Sequence, residues 1–272
     1  MNTNNIYCPQ LNVAASTALE AGKIALKFFN RLENLKISEK GVNDFVSEAD
    51  IECEKFITSK IFKSYPDHKI TSEEIGSNNQ NSEYEWFIDP IDGTTNFIHG
   101  IPHFAISIGL CKNDIPIIGV VYDPIKNELF IAEKGKGALL NDKKIRVSNV
   151  SSIQSALLGT GIPYRAKDST GTYINTLKNL MDNKCGGIRR LGAASLDLVY
   201  VASGRLDGFW EFNLKPWDVV AGSLIVQESG GIVTDINNDS DFMHSGNILA
   251  ANLTLHENIK LNIGNSLALK NF

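Results

Sequence analysis

Asp89 and Asp92 stand three residues apart at the end of an apolar run, in the stretch EWFIDPIDGTTNFIHGIP, and Gly93-Thr94-Thr95 follow at once. Asp-Pro and Asp-Gly are each ordinary turn pairs, but here both occur at the end of a β-prone run. Pro90 fixes its own φ and removes a donor, so a sharp turn is expected where WFI ends. Both carboxylates and the Ile91 carbonyl can then face one point. Hard oxygen ligands of that kind suit Mg²⁺, which takes a few carboxylates, retained waters and phosphate oxygens in place of an all-protein cage. If Gly93-Thr94-Thr95 open a short helix, their N–H groups add an anion site beside the metal. The combination points to phosphate.

Two more acid positions could complete such a site. SEEIG places Glu73 and Glu74 after the strand KIT, and KPWDVVAG places Asp218 in the first turn of a helix whose Pro216 sits at or near its first position. Each also has a plain reading, a solvated loop and a helix cap. His99 and His103, four apart in HGIPH, lie among Gly100 and Pro102, which spoil a helical zinc pair, and read as loop histidines. GTGIPY lacks the third glycine of a dinucleotide fingerprint, and Phe209, Trp210 and Phe212 read as core or interface aromatics. G-x-S-x-G is absent, so no serine nucleophile stands out.

The chain that must position these residues has 272 of them, formal net charge -5 and a 43% hydrophobic share, enough for a large core. Cys8, Cys53, Cys111 and Cys185 are scattered without C-x-x-C, which fits reduced thiols. No basic region precedes an apolar core at the N-terminus and no run of about 18 apolar residues exists, so a cytoplasmic protein is expected, with no membrane partner. The acidic balance and the lack of Lys/Arg blocks count against nucleic-acid binding.

Helical spacing of Leu11, Ala15, Ala18, Leu19, Ala25 and Phe29 predicts a first helix from Leu11 to about Leu32. SEAD at Ser47 to Asp50 resembles a capping signal, and Ile51, Ile57, Ile61 and Phe62 predict the apolar side of a second helix up to Pro66. HKITSE, EWFID, FAISIGLC, IPIIGVVYD and NELFIAE then predict a meander of mainly antiparallel strands. Beyond GKGALLNDKKIRVS the pattern alternates. It gives strand ALLGTG, helices near 170–181 and 193–203, strand LDGFWEF, helix 217–229, strands GIVTDI and NILAAN, and a final helix. An N-terminal α+β lobe over 1–146 and a C-terminal α/β lobe over 147–272 are expected.

DPIDGTTNF, with DFVSEAD and EE upstream and WDVVAGSLIVQESGG downstream, resembles the inositol monophosphatase family of Mg²⁺-dependent, lithium-sensitive phosphatases. KGVNDFVSEAD, YDPIKNELF, RRLGAASLDLVYVASGRLDGFWE and LKPWD are similar to its bacterial extragenic-suppressor branch. The resemblance covers nearly the whole chain. It implies an alternating α-β-α-β-α sandwich, a homodimer, and hydrolysis of a sugar-alcohol phosphate. By the resemblance, Glu73, Asp89, the Ile91 carbonyl and Asp92 match metal ligands, and Asp218 matches the ligand of a second metal. Glu73 and Thr94 match the groups that activate water, and Asp44 an acid near that water. The amides of Gly93 and Thr94 would hold phosphate, while Arg189, Gly192, Ala193, Ala194 and Glu211 match the polyol side. One departure is Ser72, where many relatives have Gly before the glutamate pair.

The reading that follows is hydrolysis of myo-inositol monophosphate to inositol and phosphate. Nucleotide 3′-phosphate, histidinol phosphate and fructose 1,6-bisphosphate are alternative substrates. Relatives that take 3′-phosphorylated nucleotides tend to have an acid immediately before the Trp-Asp pair, and Pro216 stands there. The same branch resemblance also allows a regulatory protein bound to the transcription machinery.

Overall fold

A computed structural model describes residues 7–41, 44–163, 170–236 and 241–267, with side-chain surroundings at 7–39, 45–163, 170–236 and 241–263. Helix α1 (Pro9–Phe29) begins with proline, which is pre-set for a first helical turn, and buries Leu11, Ala14, Ala15, Ala18, Ala21 and Ala25. It ends short of the predicted Leu32. A hairpin of β1 (Ile37–Gly41) and β2 (Asp44–Ser47) follows, unforeseen because ISEKG carries no apolar alternation. Helix α2 (Glu48–Ser64) starts on the predicted cap: Ser47 Oγ accepts the Ala49 N–H at 3.2 Å and Asp50 Oδ2 accepts the Ser47 N–H at 2.9 Å. Its apolar face needs correction. Ile57 and Ile61 are buried, but Ile51 and Phe62 are exposed at 38% and 50%, and the acids Asp50 and Glu54 take inward positions beside Cys53.

The predicted meander forms an eight-stranded sheet. Its strands are β3 (Lys69–Ser72), β4 (Gly76–Ser77), β5 (Tyr84–Asp92), β6 (Ala105–Lys112), β7 (Ile115–Asp123), β8 (Glu128–Glu133), β9 (Ala138–Leu140) and β10 (Lys143–Lys144), in the order β10-β9-β8-β7-β6-β5-β3-β4. All pairs are antiparallel except β3 with β5. Helix α3 (Thr94–Ile98) links β5 to β6. The C-terminal part contributes β11 (Leu157–Thr160), α4 (Thr170–Asp182), β12 (Gly187–Arg189), α5 (Ala194–Ala202), β13 (Gly208–Glu211), α6 (Pro216–Glu228), β14 (Ile232–Thr234), α7 (Phe242–Ser245), β15 (Ile248–Ala251) and α8 (Leu253–Leu267). Its sheet runs β12-β11-β13-β15-β14, parallel around β11 and antiparallel around β15.

Side-chain alternation shows how the layers stack. Trp86, Ile88, Ile106, Ile108, Ile118 and Val120 of the large sheet pack on α1 and α2, whereas Ala105, Val121, Phe130 and Ala132 point the other way, onto α5 and α6. Phe209, Ile248 and Ala250 of the second sheet meet that same middle helix layer, and their neighbours Trp210, Leu249 and Ala251 face α4 and α8. The order is therefore α-β-α-β-α, as the resemblance implies. The expected division near residue 147 separates the sheets, while the middle layer from 147–272 shares its core with both. Among the described residues no disulfide forms, and no helix is long and apolar enough to cross a membrane.

Helix α6 lies unusually close to the large sheet. It is buried on every side from Val219 to Val226. Gly109 and Gly119 are paired across β6 and β7, and a Cβ on either would stand 2.4 Å from α6, against Val220 Cγ1 and the Ala221 carbonyl oxygen respectively. Two bare glycines thus set the depth of the helix whose first turn carries Asp218. Gly119→Ala meets backbone, which cannot rotate away, so it should lower the stability of the chain by about 1–3 kcal/mol and displace Asp218 with α6. A urea midpoint equal to that of the wild type would refute this packing.

Candidate active site

The two acids converge by a different route from the expected one. Strand β5 does not end at WFI in a sharp turn; it runs through Asp92 and absorbs a bulge between Asp89, opposite Ser107, and Asp92, opposite Ala105. Pro90 has no N–H for the ladder, and the Ile91 N–H turns back to Asp89 Oδ1 at 3.0 Å. In a regular strand residues three apart point to opposite faces. The extra residue undoes this: Ile88 and Ile91 both enter the α1–α2 core, which leaves Asp89 and Asp92 together on the other side, 2% and 7% exposed.

Gly93 then turns the chain with φ +96°, a left-handed conformation that glycine adopts without steric cost. A Cβ there would also come within 3.1 Å of the His103 carbonyl and 3.3 Å of Ala193 Cβ and the Gly192 carbonyl. This close approach brings Gly192-Ala193-Ala194 beside the start of α3. Asn96 Nδ2 donates to the carbonyls of His103 and Leu191, both at 2.9 Å, and stitches the two loops together. Asp92 spans the same gap: its Oδ1 accepts the Ala194 N–H at 3.2 Å and its Oδ2 accepts the Ser195 N–H at 2.7 Å and the Ser195 hydroxyl. Thr94 Oγ1 lies 3.1 Å from both Asp50 Oδ1 and the Ile91 carbonyl.

Glu73 follows β3, and its N–H donates to the Ile88 carbonyl at 3.2 Å, so it lies alongside the end of β5. Asp218 is fixed at the start of α6, where its Oδ2 accepts the Lys215 N–H at 2.7 Å and Ser107 Oγ donates to the Trp217 carbonyl at 3.2 Å. The electrostatics record the crowding. Asp89 is held well above the usual carboxylate range, first by burial and then by the charges of Glu73, Asp92, Asp218 and Asp50. Asp218 is raised by burial and by Glu73 and Asp92, although the residue keeps an edge in solvent. Burial pushes Asp92 up to about 6 against the hydrogen bonds from Ser195, and Asp50 up to about 6 against those from Ser47. Glu211 rises to about 8, through burial and Asp92, with Arg190 opposing.

Glu73, Asp89, Asp92 and Asp218 thus lie within electrostatic reach of one another, yet among the described residues no three acids, histidines or cysteines close tightly enough to cage an ion alone. That donor set fits Mg²⁺, whose shell is completed by waters and phosphate oxygens as well as a carbonyl such as that of Ile91. Among the described residues no Lys, Arg or His forms an ion pair with Asp89, Asp92 or Asp218. A hard cation would relieve their repulsion.

Glu211, which the resemblance matches to the polyol side, ends β13. A Cβ on Gly161 would overlap the Glu211 carboxyl, so the bare Gly161 backbone is what gives that side chain room. Arg189 is exposed and donates to the neighbouring Ile188 carbonyl at 3.1 Å; the charge of Arg190, not that of Arg189, is the one that bears on Glu211 and Asp197. Asp44 opens β2, and its side chain lies outside the described residues. In the sequence Asp50 reads as part of a cap and Arg190 as one of a surface pair with Arg189, and nothing singles out Ser195 or Asp197. Asp50 was legible in principle, because an acid at an inward position of α2 needs a reason beyond capping. His99 ends α3 and His103 lies in the loop, where burial and Lys126 lower it to about 4, in keeping with a neutral loop histidine.

The sequence pattern of the inositol monophosphatase family matches residues 9–265. The chain is 45% identical over 245 residues to the Nus factor SuhB of Escherichia coli K12, covering 90% of this chain and 91% of that protein. Among solved structures, the extragenic suppressor protein suhB of Bartonella henselae matches with a TM-score of 0.90 at 41% identity, covering 93% of this chain and 98% of the other. Inositol monophosphatase from Anabaena matches at 0.82 and 38%, covering 94% and 95%.

Proposed function

The chain belongs to the inositol monophosphatase family, and from that premise we propose that it is a Mg²⁺-dependent phosphomonoesterase that hydrolyses myo-inositol monophosphate to inositol and phosphate. The observation that carries this reading is the convergence of Glu73, Asp89, Asp92 and Asp218 beside the glycine turn that opens α3. Bound Mg²⁺ supplies Lewis acidity, which makes a water nucleophilic and offsets charge on the phosphate and the leaving oxygen. Glu73 and the Thr94 hydroxyl orient the attacking water, and Asp50 can accept the Thr94 proton across their 3.1 Å contact. The amides of Gly93 and Thr94 face the phosphate, and Glu211 receives a ring hydroxyl. A cytoplasmic homodimer is part of the same proposal.

The test is phosphate release from a panel of inositol, nucleotide, histidinol, sugar and aryl phosphates. Inositol phosphate should lead in Mg²⁺, with inhibition by Li⁺ and by excess Ca²⁺, whose larger shell fills the carboxylates without aligning water and phosphate. Full turnover in a chelator would sink the reading. Glu211→Ala should cost kcat/KM about 10- to 10²-fold on inositol phosphate, the loss of a charge-assisted hydrogen bond, and leave an aryl phosphate almost untouched. Equal losses on both esters would remove Glu211 from recognition and leave the substrate unassigned.

A second reading has its own support in the relatives named Nus factor SuhB: a regulatory protein in the transcription machinery. It is compatible with catalysis. Pull-downs from lysate with wild type and Asp92→Asn separate them, because a binding role that needs no turnover should survive the substitution.

A further inference from the structure

Helix α2 carries a second inward acid, Glu54, one turn beyond Asp50. Glu54 is fully buried, and its carboxylate accepts the Ser72 hydroxyl at 2.7 Å, the Glu74 N–H at 2.9 Å and the Ile75 N–H at 2.5 Å. A buried carboxylate is costly unless hydrogen-bonded, and here all three donors come from the turn that contains Glu73. On its other side Glu73 is tied to β5 through its N–H and the Ile88 carbonyl. The residue is therefore pinned before and after: β5 holds its own amide, and α2 holds the hydroxyl that precedes it and the two amides that follow. Ser72, the one departure from the pattern of relatives noted above, supplies one of these bonds.

We propose that Glu54, clamped to Ser72, is a positioning residue for Glu73, holding the 72–75 turn so that the Glu73 carboxyl stays beside Asp89 and Asp218. Asp50 and Glu54, four residues apart on one helical face, then give α2 two attachments to the site, one through Thr94 and one through the Glu73 turn. The function of the clamp rests on the phosphatase reading. Its geometry does not.

Glu54→Gln keeps the shape but turns a donor toward the turn, so one of its N–H groups loses its acceptor. Mg²⁺ binding measured by calorimetry should weaken about 10- to 10²-fold, as for other groups that orient a ligand from behind. Hydrogen exchange at the Glu74 and Ile75 amides should accelerate, while KM for the ester at saturating Mg²⁺ stays unchanged. Ser72→Gly, which spares the carboxylate and both amide bonds, should shift Mg²⁺ binding the same way by less, and it decides alone if Glu54→Gln does not fold. Faster exchange with unchanged Mg²⁺ binding would overturn the proposal and leave Glu54 as a fold anchor. A wild type that binds Mg²⁺ but releases no phosphate would sink the phosphatase reading, while calorimetry still decides the clamp.

Discussion

Asp92→Asn should lower kcat by at least about 10³-fold, because it removes charge from the centre of the acid cluster, where metal acidity and water activation fail together. It should also lower stability. Asp92 accepts from Ala194 on one oxygen and from Ser195 on the other, so the substituted amide sets an NH₂ group against donors on one side. One mismatched buried pair costs about 1–3 kcal/mol, and rotation of the Ser195 hydroxyl recovers part of it. Thermal melts with phosphate-release assays on the same sample separate the effects. A variant that loses stability but retains normal turnover per folded molecule would make Asp92 only a brace between β5 and α5.

That dual role explains why the site was more legible than its supports. Asp89 and Asp92 stand out in the sequence because two acids flank Pro90 at the end of an apolar run, whereas Glu73 and Asp218 read equally as a loop acid and a helix cap and join them only through the resemblance. The convergence itself depends on a bulge, which hydrophobic alternation does not reveal: a one-residue slip changes which face Asp92 shares with Asp89. Asp50 is masked by good local grammar, since SEAD is a complete capping signal whether or not its aspartate also meets Thr94, and only its inward placement, shared with Glu54, shows that it does more. The same helix turns its expected apolar residues Ile51 and Phe62 to solvent and places Asp50 and Glu54 inward. Gly109, Gly119 and Gly161 read as ordinary glycines until the elements that press against them, α6 and the Glu211 carboxyl, are placed. Helix starts are legible where chemistry marks them, as at Ser47 and Pro216, whereas α1 opens at Pro9, two residues before the Leu11 where its apolar spacing begins. The short helix considered at Gly93-Thr94-Thr95 is present as α3, whereas α7, four residues long, carries no apolar period to mark it.

Removing divalent metal should abolish turnover and also make the folded chain less stable as pH rises above neutrality. Burial and mutual repulsion raise Asp89, Asp218 and Glu211, the last to about 8, so between the ordinary carboxylate range and that value the folded state holds protons that the unfolded state has released. Stability from such groups is present at low pH and is lost as pH climbs through the folded pKa. His68, His103 and His256 are lowered by burial and act in the opposite sense, losing stability as pH falls below about 6.5, so the informative window lies above that value. In a chelator, the chain should gain about 1–2 kcal/mol on going from about pH 8.5 to about pH 6.5. For a chain of this size that is a rise in Tm of about 2–4 °C. Saturating Mg²⁺ should flatten the dependence by neutralising the cluster, and Glu211→Gln should flatten it without metal. A melting temperature in chelator that stays constant or falls on going from about pH 8.5 to about pH 6.5 would show that the acids are not packed as described. Flattening by Mg²⁺ equal in wild type and Asp92→Asn would place the responsive charges elsewhere.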